Sequence, residues 1–382
     1  MKKIVIGASA AAVVGAVLLL AFGGRLGTAR ASTWSPKSAA AYLDAREAWW
    51  AGWPRASKDH GTFCVSCHTV VPYALARPML REAVNESEPS REERQLLEDV
   101  KKRVRMWNEV KPYYSQMAAQ ARGTEAVLNA LVLSSYDSRS GHLSDDTRGA
   151  FANLWATQQT SGDARGRWLW IQFDNEPWEA PDSPYYGAAL AAIAVGMAPG
   201  DYRSTPEIQN NVKMLGEYLN RESGKQSLMN RVYLLWASTE MPGILDEAQQ
   251  QAIVDEVESK QLADGGWNTS SLIAGWKRAD GTAEAAGSDG CATGLVVYTL
   301  ERAGISPEDA RVKRGLAWLS SNQSVWGGHW NAYSLNHRHA NPFAPGVRFM
   351  DDAATGYAIL ALTQAKSSPS ESAAVTESKQ LR

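Results

Sequence analysis

The most specific chemistry in the chain is concentrated in Phe63-Cys64-Val65-Ser66-Cys67-His68. Two thiols three residues apart, with an imidazole next to the second, make the C-x-x-C-H pattern that attaches a haem covalently. Residues three and four apart share one face of a helical turn. The spacing therefore predicts that both thiols reach the two vinyl groups of one macrocycle while His68 meets its iron from the same side as proximal ligand. A thiol-redox C-x-x-C is expected beside a βαβ pattern, and a zinc site would want a second pair of ligands at similar spacing. The sequence offers neither. The remaining cysteine, Cys291, stands alone, so the three cysteines of the chain cannot form a disulfide framework.

The sixth iron position decides whether such a site only transfers electrons or also admits a substrate. Met106 and Met117 both follow the motif within a cytochrome-sized stretch, and either is a candidate distal ligand. Met79 lies too close to the motif to rank with them, and His60 precedes it. Trp49, Trp50, Trp53 and Tyr73 are available to wall an apolar pocket or a docking ridge.

A second concentration of chemistry runs from Trp168 through Glu176, Trp178 and Glu179 to Asp182. Carboxyls set among indoles lose hydration, which raises their pKa toward the range useful for acid–base work. Glu176 and Glu179 are the candidate catalytic residues. Asp182, Asp289 and Asp351 stand at predicted helix starts and read as N-terminal caps.

These residues need a scaffold. The chain has 382 residues, 44% hydrophobic and 21% charged, an ordinary globular composition. A formal net charge of -2 gives no footprint for nucleic acid. Lys2 and Lys3 precede an apolar run from Ile4 to Phe22, then Ala29-Arg30-Ala31. Residues 1–31 read as a secretory signal or as an uncleaved N-terminal anchor, the only expected membrane contact. The expected location is periplasmic or otherwise exported, where haem c is assembled.

From about Thr124 a two-part pattern recurs: a segment apolar nearly all round, then an amphipathic one ending in Gln and a Gly/Trp turn. Gly294 and Gly356 are 62 residues apart, as are Gln261 and Gln323, a sign of repeat architecture. Gln261-x-x-Asp264-Gly265-Gly266-Trp267 and the looser Gln323-x-x-x-Gly327-Gly328-x-Trp330 resemble the QW repeats of squalene/hopene cyclases and protein prenyltransferase β subunits. The resemblance covers residues 124–366 and implies an α/α toroid, with inner and outer rings of helices around a cavity. It makes Trp267 and Trp330 structural ties. Phe349-Met350-Asp351-Asp352 lacks the first carboxylate of the cyclase D-x-D-D motif, so cyclisation is not expected. Asp289-Gly290-Cys291 matches the prenyltransferase Asp-x-Cys zinc ligands, but the matching His position falls near Ala354, leaving Asp289 and Cys291 as a residual zinc-like pair.

The expectation is an all-α protein. Residues 33–123 are a small haem domain resembling c-type cytochromes, residues 124–366 the toroid, and residues 367–382 a disordered tail. The haem would exchange electrons with a redox partner protein or with a small molecule held in the toroid. The alternatives are a toroid hydrolase, lyase or cyclase in which haem is structural or sensory, and a haem-dependent oxygenase or peroxidase.

Overall fold

The computed structural model describes residues 34–337 and 345–367. The predicted signal or anchor and the C-terminal tail beyond Ser367 lie outside these residues. The described chain is all-α apart from one small hairpin, β1 (Ser57–Lys58) with β2 (Thr62–Phe63).

Two kinds of helix alternate, for a reason visible in their residues. Six are apolar nearly all round and buried: α2 (Val70–Val84), α4 (Ala118–Ser140), α6 (Ser183–Met197), α8 (Leu228–Glu240), α11 (Gly290–Arg302) and α13 (Phe349–Ser367). From Ser183 to Val195, for example, α6 has no exposed residue. Six carry a narrow apolar stripe: α1 (Pro36–Gly52), α3 (Arg91–Arg105), α5 (Asp145–Thr157), α7 (Gln209–Glu222), α9 (Glu247–Ser259) and α12 (Ala310–Ser321). In α12 only Val312, Gly315 and Leu319 are buried, the i, i+3, i+7 pattern of a helix with one face on a core. A single turn, α10 (Thr269–Leu272), completes the set.

The buried helices contact one another in a closed cycle, α2–α4–α6–α8–α11–α13 and back to α2, and the striped helices pack on the outside of it. Close approach within the cycle depends on missing side chains. A Cβ on Gly294 of α11 would collide with the backbone of Tyr357 and Ala358 on α13. Inside the cycle, the hydroxyls of Tyr233 and Tyr357 lie 2.6 Å apart, and the Tyr186 ring packs edge-on to Tyr233 at 4.8 Å. Helices α8 and α13 are not neighbours in the cycle, so these tyrosines meet across its interior and fill it at that level.

Glutamine and tryptophan tie the outer helices in the same way three times. Gln158, Gln261 and Gln323 each donate through Nε2 to a glycine carbonyl in their own turn, at 3.0, 2.9 and 2.8 Å. The same nitrogens also reach the start of the next outer helix, at the carbonyls of Asn211, Arg311 and Ser35, 3.1, 2.9 and 3.1 Å away. Trp168, Trp267 and Trp330 are fully buried and donate to the carbonyls of Leu154, Val257 and Leu319 at 2.7, 2.9 and 2.8 Å.

The third tie joins the two stretches of chain expected to be separate domains. Gln323 closes onto Ser35, the N-cap of α1, and α2 sits between α13 and α4. All described residues belong to one compact unit. The C-x-x-C-H segment is therefore carried by the hairpin α1–α2 that closes the ring, and no break between compact units falls near residue 123. α1 and α2 bury their apolar faces on α13 and α4 as well as on each other.

Candidate functional site

The motif lies between β2 and α2, as a turn leading into the helix rather than the helical turn its spacing predicts. The cause is Ser66, whose Oγ accepts from the backbone N–H of Thr69 and Val70 at 3.3 and 3.2 Å and so takes the first free amides of α2. The strand before it is pinned by side chains from elsewhere. Phe63 N–H donates to Asp99 Oδ1, Val65 N–H to the Tyr113 hydroxyl, and Trp50 Nε1 to the Cys64 carbonyl, at 3.0, 3.2 and 2.7 Å.

Cys64 and Cys67 are buried, unpaired thiols. Burial pushes the Cys64 thiol up to about 12 and the Cys67 thiol well above its usual value, and the Glu179 charge adds to both effects. They are held as neutral S–H groups rather than as reactive thiolates.

His68 is boxed by aromatics. Phe349 stacks on the imidazole at 3.8 Å, Trp50 meets it edge-on at 5.0 Å, and Trp178 lies 6.0 Å away. Its Nδ1 is 2.8 Å from Thr69 Oγ1, which donates its single proton to Asp352 Oδ2 at 2.6 Å. Thr69 has no second proton to give, so the proton shared with the ring must sit on His68 Nδ1. Nε2 then carries the free lone pair. Burial, and secondarily the Arg46 charge, lower the His68 pKa to about 3, which keeps the ring neutral and able to ligate at neutral pH. Asp352 is itself fixed: Arg46 forks onto both its oxygens at 2.7 and 2.9 Å, and the Tyr42 hydroxyl donates at 2.7 Å. Such outer partners orient a ligating histidine and raise its basicity.

His68 opens on a cavity of about 400 Å³ walled by Arg55, Trp178, Glu179, Phe349 and Met350, a size usual for small-ligand sites. Glu176 lines it as well, so the two candidate carboxyls share a cavity with the candidate proximal ligand. Burial raises Glu179 to about 7, against a hydrogen bond from Asn175, and raises Glu176 to about 8 with help from the Asp182 charge. The loop carrying them is a tight backbone ladder: Phe173 N–H donates to the Glu179 carbonyl, and Glu179 N–H to the Asn175 carbonyl, both at 2.8 Å. The Trp178 Nε1 donor at the wall is buried with no partner, a polar group that a bound molecule would satisfy.

Other candidates fall elsewhere. Met106 caps the end of α3 and Met117 precedes α4, and neither lines the His68 cavity. The cavity opens toward α13 and the Asn175–Glu179 loop instead, so the thioether it contains is Met350. Met79 sits 3.8 Å from the Thr363 hydroxyl, and His60 pairs with Asp59 on the exposed hairpin. Asp289 is used as a cap: its carboxylate takes the Thr269 N–H and hydroxyl, both at 2.7 Å, and the Ala292 N–H at 2.9 Å. Cys291 beside it is buried. Among the described residues no three His, Cys, Asp or Glu side chains converge as a metal-ligating group. Asp182 makes no capping bond and accepts from Asn230 at 2.9 Å instead, while Asp351 accepts from Ala332 N–H at 3.0 Å.

Asp352, Thr69, Arg46 and Met350 are the site residues that sequence reasoning missed. An acid pair opening a buried helix was the available signal for Asp352, but nothing local couples it to Thr69. Compared with known proteins, the chain matches no family model and no curated protein.

Proposed function

We propose that this is an exported protein that binds one haem c at Cys64, Cys67 and His68. It passes electrons between that haem and a substrate or partner at the end of an α/α toroid of the squalene cyclase–prenyltransferase type. The observation that carries the reading is the His68 imidazole. It belongs to a C-x-x-C-H sequence, its Nδ1 is anchored through Thr69 to Asp352, and its Nε2 is left for the cavity.

The residues present suit the group. Each thiol would add across one vinyl double bond, sulfur to one carbon and a proton to the other, so attachment needs reduced, unpaired cysteines such as Cys64 and Cys67. Phe349, Trp50 and Trp178 would exclude water around the ligating ring, and Arg55 stands at the wall as a cation for acidic substituents. When bound, the iron supplies one-electron transfer at a potential set by its ligands and their partners. Glu179 can hold or release a proton near neutral pH beside that site. This acid is also what favours the second reading, a haem-dependent oxygenase or peroxidase.

Absorption spectra of protein matured with the haem-attachment machinery, oxidised and reduced, test the reading. A haem c spectrum that survives denaturation and disappears in the Cys64→Ala/Cys67→Ala variant is expected. Lack of that spectrum overturns it. Rapid carbon monoxide binding to the reduced protein selects the second reading over simple electron transfer.

A further inference from the structure

The His68 cavity does not end at its own walls. Glu176 also lines a neighbouring cavity of about 430 Å³, which shares Asp182, Lys225 and Gln226 with a third of about 720 Å³. Through these shared residues the three cavities adjoin, in a path from the loop at Gly162 to His68.

Two sets of charges on this path are already paired. Arg231 forks onto Glu256 at 2.6 and 2.7 Å, and Glu222 takes both Arg221 and Lys225 at 2.8 Å. A polyanion would find little surplus positive field there. A lipid would find ion pairs, the Gln226 amide and the Ser227 and Ser271 hydroxyls where it needs an apolar wall. A neutral polyhydroxylated chain both donates and accepts at every unit, and it suits such a lining. Trp276 adds a flat wall, half-buried and fixed by its Nε1 donating to the Leu335 carbonyl at 3.1 Å.

Two buried donors on the path have no partner: Trp178 Nε1 on the wall of the His68 cavity and Arg231 Nε beyond it. The Glu176 backbone is clamped from both sides by Asn336, at 2.9 and 2.7 Å, while among the described residues no hydrogen bond reaches its carboxyl.

We infer that this path is a binding groove for a neutral oligosaccharide or polysaccharide chain, with Trp276 as stacking platform and Glu176 as the acceptor where the groove meets the His68 cavity. The inference uses no haem contact and can stand or fall apart from the haem reading.

The test is affinity electrophoresis of the full exported protein in gels containing galactomannan, xyloglucan or mixed-linkage β-glucan, with heparin and anionic phospholipid vesicles as rival probes. Retardation by at least one neutral polysaccharide is expected, weakened tenfold or more in Trp276→Ala and in the groove-filling Ser271→Trp. Circular dichroism of each variant confirms that it is folded. No retardation by any neutral polysaccharide overturns the proposal. So does retardation that both folded variants retain, or binding confined to heparin or to vesicles. Polysaccharide binding by protein that shows no haem spectrum would sink the haem reading and leave the groove standing.

Discussion

Gln323 offers the sharpest test of how the motif hairpin is held. Its side chain makes three bonds at the junction of the last outer helix with α1: Nε2 to the carbonyls of Gly328 and Ser35 at 2.8 and 3.1 Å, and Oε1 from Ser35 N–H at 2.6 Å. A net value of about 1 kcal/mol per half-buried hydrogen bond puts the loss in Gln323→Ala at about 3 kcal/mol. With an unfolding entropy of about 2.1 cal/mol/K per residue over the described chain, that corresponds to a fall in Tm of roughly 4 °C. Gln261→Ala removes the equivalent bonds to Gly265 and Arg311 and should cost a similar amount. The assay is thermal unfolding followed by far-ultraviolet circular dichroism and by absorbance of the haem that the proposed function attaches at Cys64 and Cys67. If α1–α2 closes the ring, both signals move down together in Gln323→Ala, in one transition. Two separated transitions, with the haem signal untouched by the substitution, would refute the argument and restore an independent haem domain.

Thr69→Val cuts the link from His68 Nδ1 to Asp352, leaving a less basic ligand. In the haem-bound form proposed above, the midpoint potential should rise by roughly tens of millivolts, and a spectroelectrochemical titration in which Thr69→Val matches the parent would dismiss that link. Glu176 and Glu179 have native pKa values raised to about 8 and 7. The native state thus holds protons that the unfolded chain has lost, so stability falls as pH rises from about 4.5 through 8. Denaturation midpoints should drop across that window and drop less in Glu176→Gln/Glu179→Gln; equal slopes would place both carboxyls in water. Gly294→Ala forces a methyl into the α13 backbone and should cost at least about 1–3 kcal/mol. Gly216→Ala on α7 meets open space and should add about 0.5–1 kcal/mol from helix propensity. Urea midpoints that shift in the same direction for both would contradict the packing.

Short-range spacing carried part of this protein plainly. The C-x-x-C-H run, the Gln-to-Trp turns and the alternation of all-apolar with striped segments are local patterns, readable because one helical turn or one turn motif imposes them. Glu176 and Glu179 were legible for a related reason, since carboxyls among indoles in one short stretch share an environment wherever the fold puts them. Three things were decided only in space. Gln323 meets Ser35 across 288 residues of sequence, and Thr69 meets Asp352 across 283. Met350, rather than Met106 or Met117, lines the His68 cavity because α13 returns beside α2 when the ring closes. No local period encodes that return. It follows from six mostly buried helices that cover one another by completing the cycle, which turns the hairpin bearing the C-x-x-C-H motif into part of the ring.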